Sequence, residues 1–479
     1  MTFQPIKALL FALLAALLML SACQTSTAVP TATAQPTVPA RTPTPLPATP
    51  TPQPTPTTPA HLSADPSALK GVTVEFWHPW QGSLIRQVDE LAEEFNRSNE
   101  WGMTVRARPF YNSGALHDAL KEAGPGSLPA AAALPVEMLA EWAEAGDSVV
   151  DLQDYLDHAE WGMAVDEIGF EQRFWQQGQR GGRQIGIPAL HSARVLFYNQ
   201  GWAKELGFSS PPETPEEFRQ QACAAAVVNN SLTREKQGTG GWLTSSDPLT
   251  TLSWFAAFGA GPLPEGDDHS YNFDTPEGEA ALAFLRGLYD SGCSWIGRNP
   301  SPYEYFSSRM ALFYSGTLAD LEPQRHILEQ SGSTDEWTIL PFPGADGQPV
   351  VYSAGYSYAL MQTTPEQQLG AWMWIRWLSQ AEQQARLAEA YPGIPVSRGA
   401  ASALASEVAG FPKAPLLALA DSAVPAPGLP TWRTARRVLE DAAGQFYFLP
   451  AGQLDSVFPQ IDQTIEELLQ MEREEAQAP

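Results

Sequence analysis

Three helix starts in this chain are spelled almost alike, and they restrict its architecture more than any other feature. Thr214-Pro215-Glu216-Glu217, Thr275-Pro276-Glu277 and Thr364-Pro365-Glu366-Gln367 each set a capping threonine before a proline at the first helical position. The threonine hydroxyl accepts from an otherwise free amide of the first turn, proline lacks the amide that would go unpaired, and acidic or amide side chains favour the positive end of the helix. Ser379 and Glu382 repeat the capping-box spacing and predict another start. Strand-like runs alternate with these helices: Val195-Leu196-Phe197-Tyr198, Ala311-Leu312-Phe313-Tyr314, Trp337-Thr338-Ile339-Leu340 and Val350-Val351-Tyr352. At the beginning, Val72, Val74 and Phe76 alternate, Leu84, Val88, Leu91 and Phe95 follow at helical spacing, and Thr104 to Arg108 forms a second strand. That is a βαβ unit on a mostly parallel sheet, so the fold class is α/β throughout.

Upstream of this region the chain does not read as a folded domain. Lys7 precedes an apolar stretch at residues 8–20, and Leu20-Ser21-Ala22-Cys23 follows at once. This has the order of an export signal and resembles a lipobox, in which Cys23 becomes the first mature residue and carries a diacylglycerol. Thirteen apolar residues fall short of the roughly 20 that span a hydrocarbon core. Residues 1–22 thus read as a lipoprotein signal peptide. Residues 23–66 are a Thr/Pro/Ala tract with nothing to bury, which leans toward extended polyproline II and reads as a semi-rigid spacer. The remaining 413 positions suit two large lobes better than one ordinary domain.

That remainder carries 26 basic against 53 acidic residues, which argues against nucleic acid or an anionic membrane face as partner. Besides Cys23 there are Cys223 and Cys293, an even pair in an exported chain. A disulfide between them is expected, with two buried thiols as the other reading. The seven histidines are scattered, and no nucleophile elbow, H-E-x-x-H or P-loop appears, so no cofactor or metal site is expected; the many carboxylates leave an exported carbohydrate-active enzyme open as the less favoured class, and it is the resemblance described next that sets an enzyme aside.

Phe76-Trp77-His78-Pro79-Trp80-Gln81-Gly82, with the helix that ends Glu93-Glu94-Phe95-Asn96, resembles the opening of extracellular solute-binding proteins that serve carbohydrate ABC importers. Ile187-Pro188-Ala189 with Val195 to Asn199, Thr214 to Phe218, Gly355-Tyr356 and Gly393-Ile394-Pro395-Val396 are similar to later segments of that family, and the likeness covers essentially all of 70–479. It implies a two-lobed periplasmic-binding-protein-like fold of type II with three interlobe crossovers. One lobe would be 70–191 plus 349–396, and the other 192–348 plus 397–479. It also implies a ligand in the cleft, a sugar or oligosaccharide or else a glycerol phosphate ester, and delivery to ABC permease subunits by a monomer held to the outer face of the membrane by its lipid.

A sugar offers C–H faces and a rim of hydroxyls, so its site calls for aromatic platforms and planar polar groups. Trp77, His78 and Trp80 end the first strand and enter its loop, at the edge where α/β sheets hold ligands. By alternation Trp77 lies opposite Phe76, which leaves both core and cleft open to it. The resemblance puts Glu137, in Leu134-Pro135-Val136-Glu137, where family members have a residue that follows a strand and faces the cleft, so that its carboxylate would accept from two hydroxyls, a solvated surface glutamate being the other reading. The resemblance adds Ser192 at the first crossover, Trp242 after two glycines, Ser315 in Tyr314-Ser315-Gly316-Thr317, Gly355 and Tyr356, and Arg433 in Pro430-Thr431-Trp432-Arg433. Trp254, Trp372, Trp374 and Trp377 lie on apolar helices and are assigned to the core.

Overall fold

The computed structural model describes residues 66–477, apart from 125, 147, 262–269, 299–300 and 409. Cys23, segment 1–22 and the spacer up to residue 65 therefore lie outside the described residues. Among the described residues no helix is long and apolar enough to cross a membrane.

The opening unit forms as its periodicity requires. β1 (Thr73–His78) leads into α1 (Ser83–Ser98), which buries Leu84, Val88, Leu91 and Phe95, and then into β2 (Thr104–Pro109), parallel to β1 with Thr73 opposite Thr104. Through α2 (Ser113–Ala123) the chain reaches β3 (Ala131–Pro135), parallel to β1 on its other side. α3 (Val136–Glu144) follows at once. β4 (Ile187–Asn199) is the long strand of the molecule, with thirteen residues. After it come α4 (Pro215–Ser231), β5 (Gly240–Leu243), α5 (Pro248–Ala257), α6 (Pro276–Asp290), β6 (Ser294–Trp295) and β7 (Ala311–Thr317). β8 (Trp337–Leu340), β9 (Val351–Leu360), α7 (Pro365–Leu378), β10 (Ala423–Pro425), α8 (Trp432–Ala443) and α9 (Val457–Gln477) complete the parts used below.

These ten strands hydrogen-bond in the order β2-β1-β3-β9-β4-β7-β5-β6, with β10 on β9 and β8 on β4. β4 is the pivot of that order. Its first half, Ile187 to Ala193, pairs with β9, whereas Arg194 to Tyr198 pairs with β7. One strand thus links two parallel groups, β2-β1-β3 through antiparallel β9 and β7-β5-β6 by antiparallel pairing with β7, and changes partner between Ala193 and Arg194.

The three Thr-Pro starts cap as expected: Thr214, Thr275 and Thr364 accept from the amides of Glu217, Gly278 and Gln367. Ser379 does not. Its hydroxyl donates to the Ile375 carbonyl at 2.8 Å, closing the end of α7, and the helix Ala381–Ala390 begins after Gln380 without a side-chain cap. A serine buried at the end of one helix has a carbonyl four residues back within reach, and that bond competes with capping the next.

One hydrophobic cluster runs from Val74 and Phe76 to Ala311 and Tyr314, and each group adds aromatic packing of its own. Around β1, Phe76 packs edge-on to Trp374 of α7, which also meets Phe95, while Trp77 points to the opposite face among Leu116, Leu120 and Leu134. Around β5, Trp242 and Trp254 meet Phe218 of α4 edge-on. Cys223 and Cys293 form the expected disulfide, tying α4 to the residue before β6. α4 lies close on β5 because a side chain at Gly241 would stand 2.0 Å from the Cys293 carbonyl oxygen and 2.5 Å from that of Ala222.

Candidate functional site

Five of the residues singled out from sequence converge on one cavity of about 370 Å³: Trp80, Glu137, Ser192, Gly355 and Tyr356. They arrive on different elements. Trp80 lies in the loop after β1, Glu137 in the first turn of α3 directly after β3, Ser192 at the middle of β4, and Gly355 and Tyr356 on β9. The cavity opens at the carboxyl ends of parallel strands β1 and β3, where helix amino termini and strand-end loops leave backbone donors free.

Local structure aims these groups. Gln81 donates from its side-chain amide to the Phe110 carbonyl and so holds the Trp80 loop against the end of β2. Trp80 stands edge-on to Tyr356 and Tyr358, with ring centroids 6.0 and 6.3 Å away, and its indole N–H makes no hydrogen bond among the described residues. The β9–β4 register slips between Tyr356 and Ser357, and such an irregularity re-aims a side chain next to a site. Gly355 backs onto the His191 ring, which a β-carbon there would approach to 2.4 Å, so no larger residue fits beneath this wall.

Burial pushes the Glu137 carboxyl above its ordinary range, against the pull of its own backbone amide, Arg436 and Arg433. Burial likewise raises the Tyr356 and Tyr391 hydroxyls, keeping both as neutral donors. The cavity therefore combines a carboxyl group, a guanidinium, phenol donors and an indole. This set satisfies a ligand that has apolar faces and many hydroxyls.

The remaining sequence candidates are placed elsewhere. Trp77 is in the core beyond β1, beside Phe110 and with the Arg108 guanidinium 4.7 Å from its ring, because strand alternation sends it away from Phe76 and from the cavity. His78 is fully buried behind Trp80, its ring centroid 5.2 Å away, and burial lowers its imidazole to about 4, so it is neutral near pH 7. Trp242 is fully buried and spends its N–H on Ser315 Oγ at 3.3 Å. Ser315 lines a second cavity of about 350 Å³, with Thr244, Ser245, Ser246, Tyr314 and Phe448. Arg433 is exposed on α8, one turn ahead of Arg436, which lines the first cavity.

Arg436 and Tyr391 are the residues that sequence reasoning missed. α8 is amphipathic, with Trp432, Ala435, Leu439 and Ala443 buried, so the Arg433-Arg436-Arg437 cluster should have been weighed as one helical face and not as a single arginine. Tyr391 stands two residues before Gly393-Ile394, the crossover segment whose Ile394 amide donates to the His191 carbonyl at 2.8 Å. Among the described residues no group of three or more His, Cys, Asp or Glu is placed to hold a metal ion.

Comparison with known proteins agrees with this architecture. The sequence model of a bacterial extracellular solute-binding protein matches residues 90–417. The chain belongs to that family. Over 264 residues it is 25% identical to the sn-glycerol-3-phosphate-binding periplasmic protein UgpB of Escherichia coli (strain K12), a match that spans 52% of this chain and 58% of that one. Among solved structures, the sugar-binding protein MalE from Xanthomonas citri superposes with a TM-score of 0.71 at 21% identity, covering 85% of this chain and all of the other. The cyclic alpha-maltosyl-1,6-maltose binding protein of Arthrobacter globiformis gives 0.68 at 18% identity, over 83% of this chain and 99% of its own. UgpB from Mycobacterium tuberculosis, in complex with glycerophosphocholine, gives 0.66 at 16%, over 84% and 99%. The fold is the two-lobed α/β arrangement of these solved structures.

Proposed function

We propose that this chain is the substrate-binding lipoprotein of an ABC importer, which captures a sugar or oligosaccharide between its lobes and hands it intact to a membrane permease. The observation that carries the reading is the convergence of Trp80, Glu137, Ser192, Gly355 and Tyr356 from separate elements on one cavity at the carboxyl ends of β1 and β3. Sugar-binding proteins of the same fold support it. The lobes are assigned to 70–191 plus 349–396 and to 192–348 plus 397–479. The partner change within β4, two residues beyond the first of these boundaries, supports that division. Ligand contacts made in the closed form alone would shift the population toward closure. In this reading Cys23 carries the lipid and the Thr/Pro tract lets a monomeric body reach the permease, which keeps its effective concentration high there.

Arg436 favours a second reading, a glycerol phosphate ester, since a cavity-lining guanidinium suits a phosphate. One experiment addresses both. Melting curves and tryptophan fluorescence are recorded against mono-, di- and oligosaccharides and glycerol phosphodiesters, and the added compound is recovered and examined afterwards. A cognate ligand at 100 times its dissociation constant adds about 2.7 kcal/mol. A sugar that stabilises and returns unchanged supports the import reading. No response to any sugar rejects the sugar reading, stabilisation by a glycerol phosphodiester alone supports the second, and a stabilising sugar that returns cleaved makes the chain an enzyme.

A further inference from the structure

A cavity of about 490 Å³ beyond the other end of β3 has no role in the reading just given. Gln184, in its wall, stands eight residues before Ser192 of the first cavity, about 25 Å of nearly extended chain. The Gln184 carbonyl accepts from the Leu152 amide at 2.7 Å, and two residues back the Val150 amide donates to Leu360, which pairs with Ala131, the first residue of β3. The first cavity is lined by Pro135, the last residue of that strand. The two cavities thus stand at opposite ends of one strand.

Every charged side chain that lines this far cavity is an acid. Asp157, Asp166 and Glu167 are exposed, none of them forms an ion pair among the described residues, and no Lys, Arg or His joins them in the wall. Gln153 holds Asp157, donating to its Oδ2 at 2.8 Å. Acids alone do not make a site; the observation that points to a ligand is Gln184, which is 3% exposed. Its Nε2 donates to the Gly186 carbonyl at 2.6 Å and to that of Trp175 at 3.4 Å, which fixes the orientation of the amide. Oε1 is left on the other side with no partner among the described residues. A buried acceptor without a partner is costly, so the cavity calls for a donor. Trp175, on the helix Gln172–Gln177, stacks on Phe170 at 5.3 Å between centroids and is half-buried, so part of its indole stays open beside the acids. An aromatic ring next to carboxylates suits a cation. That cation is not a metal ion, since no three His, Cys, Asp or Glu among the described residues are placed to hold one. Acids too dispersed for one ion, with Leu156 and Met163 as apolar wall, match a cation whose charges are separated by a methylene chain.

We propose that this cavity is a second binding site, separate from the first, and that it takes an aliphatic diamine: ammonium groups on the Asp157 and Asp166–Glu167 carboxylates, an N–H toward Gln184, and the methylene chain along Trp175. The proposal does not depend on what the first cavity binds. Titration calorimetry of the full chain with 1,4-diaminobutane tests it, with 1-aminobutane as the singly charged control. The diamine binds one to one and at least tenfold more tightly than the monoamine. Asp166→Asn combined with Glu167→Gln weakens it by roughly tenfold or more, and Trp175→Leu by about twofold to fivefold. Neutralising two exposed acids elsewhere, Glu90→Gln with Glu100→Gln, has no such effect. Equal weakening by the two neutralised pairs would reduce the binding to diffuse attraction toward an acidic surface and overturn the proposal. Binding that survives the change at Asp166 and Glu167 but is lost in Glu137→Gln would place the amine in the first cavity and overturn it too. So would the absence of saturable diamine binding at low salt.

Discussion

The two parallel strand groups end in cavities of nearly equal volume that are built in different ways. At the ends of β1 and β3 the walls are charged and deeply packed: Glu137 faces the field of Arg436, Trp80 is 3% exposed, and Gly355 is pressed against a buried imidazole. At the ends of β5 and β6 the lining is neutral hydroxyl, the rim is open, and a disulfide holds the layer behind it. Desolvated groups of the kind that line the first cavity would make strong and selective contacts with a ligand that replaces their lost water. The second is a shelf, adaptable and weak per contact. Equal volume is therefore no guide to equal contribution, and substitutions in the two regions should differ in kind.

Stability should respond most in the second region. Cys223 and Cys293 close a loop of 70 residues, so replacing both with serine should cost about 4 kcal/mol in urea unfolding, with little change in affinity. A loss under about 1 kcal/mol would mean that the crosslink constrains nothing the packing does not already hold. In the first region the larger effect should fall on binding. Glu137→Gln removes charge-assisted hydrogen bonds of about 1.5–3 kcal/mol each, so calorimetry should show affinity down by roughly tenfold to a hundredfold. The same change should raise the ligand-free melting temperature at neutral pH. The folded-state carboxyl holds its proton more tightly than the unfolded one, so ionising it costs stability as pH rises past its raised value. That cost fades as pH falls toward the ordinary carboxylate range, and the wild-type and Glu137→Gln melting curves should converge there.

Strand and helix placement was open to sequence reading because it rests on local rules. Leu84, Val88, Leu91 and Phe95 are the buried residues their spacing names, and the three Thr-Pro starts cap as written. What sequence could not weigh is which side of a layer lies against a cavity and which against a core. Trp77, Trp80 and Trp242 are all nearly buried, yet only Trp80 lines the first cavity, while Trp242 spends its N–H on Ser315 and Trp77 lies under Arg108. Trp242 was a candidate to close over a sugar, but it packs in the core, and Gly241 beside it makes room for α4. Such choices depend on contacts distant in sequence, which periodicity does not encode.

Gly355 tests whether tight packing in the first region serves the cavity or only the core. Gly355→Ala should cost about 1–3 kcal/mol by overpacking against His191, and the affinity should fall with it as β9 is displaced. His191→Ala alone leaves a void, but combined with Gly355→Ala it should give back part of the lost stability, because each change relieves the other. Additive losses in the double-mutant cycle would show that the ring and the glycine are not coupled.

The smallest effect separates two arginines one helical turn apart. Arg433 is exposed and reaches Glu137 only through its field, whereas Arg436 lines the cavity. Solvent and salt screen the first interaction, so Arg433→Ala should change ligand affinity by about 0.5 kcal/mol or less, and that change should vanish in high salt. Arg436→Ala should weaken binding more and keep its effect in salt, since its partner is shielded from water. Equal, salt-sensitive losses at both positions would place the guanidiniums in a diffuse positive field and remove Arg436 from direct contact with the ligand. The phosphate ester reading would lose the observation that favours it, because Arg436 is the cavity-lining cation on which it rests.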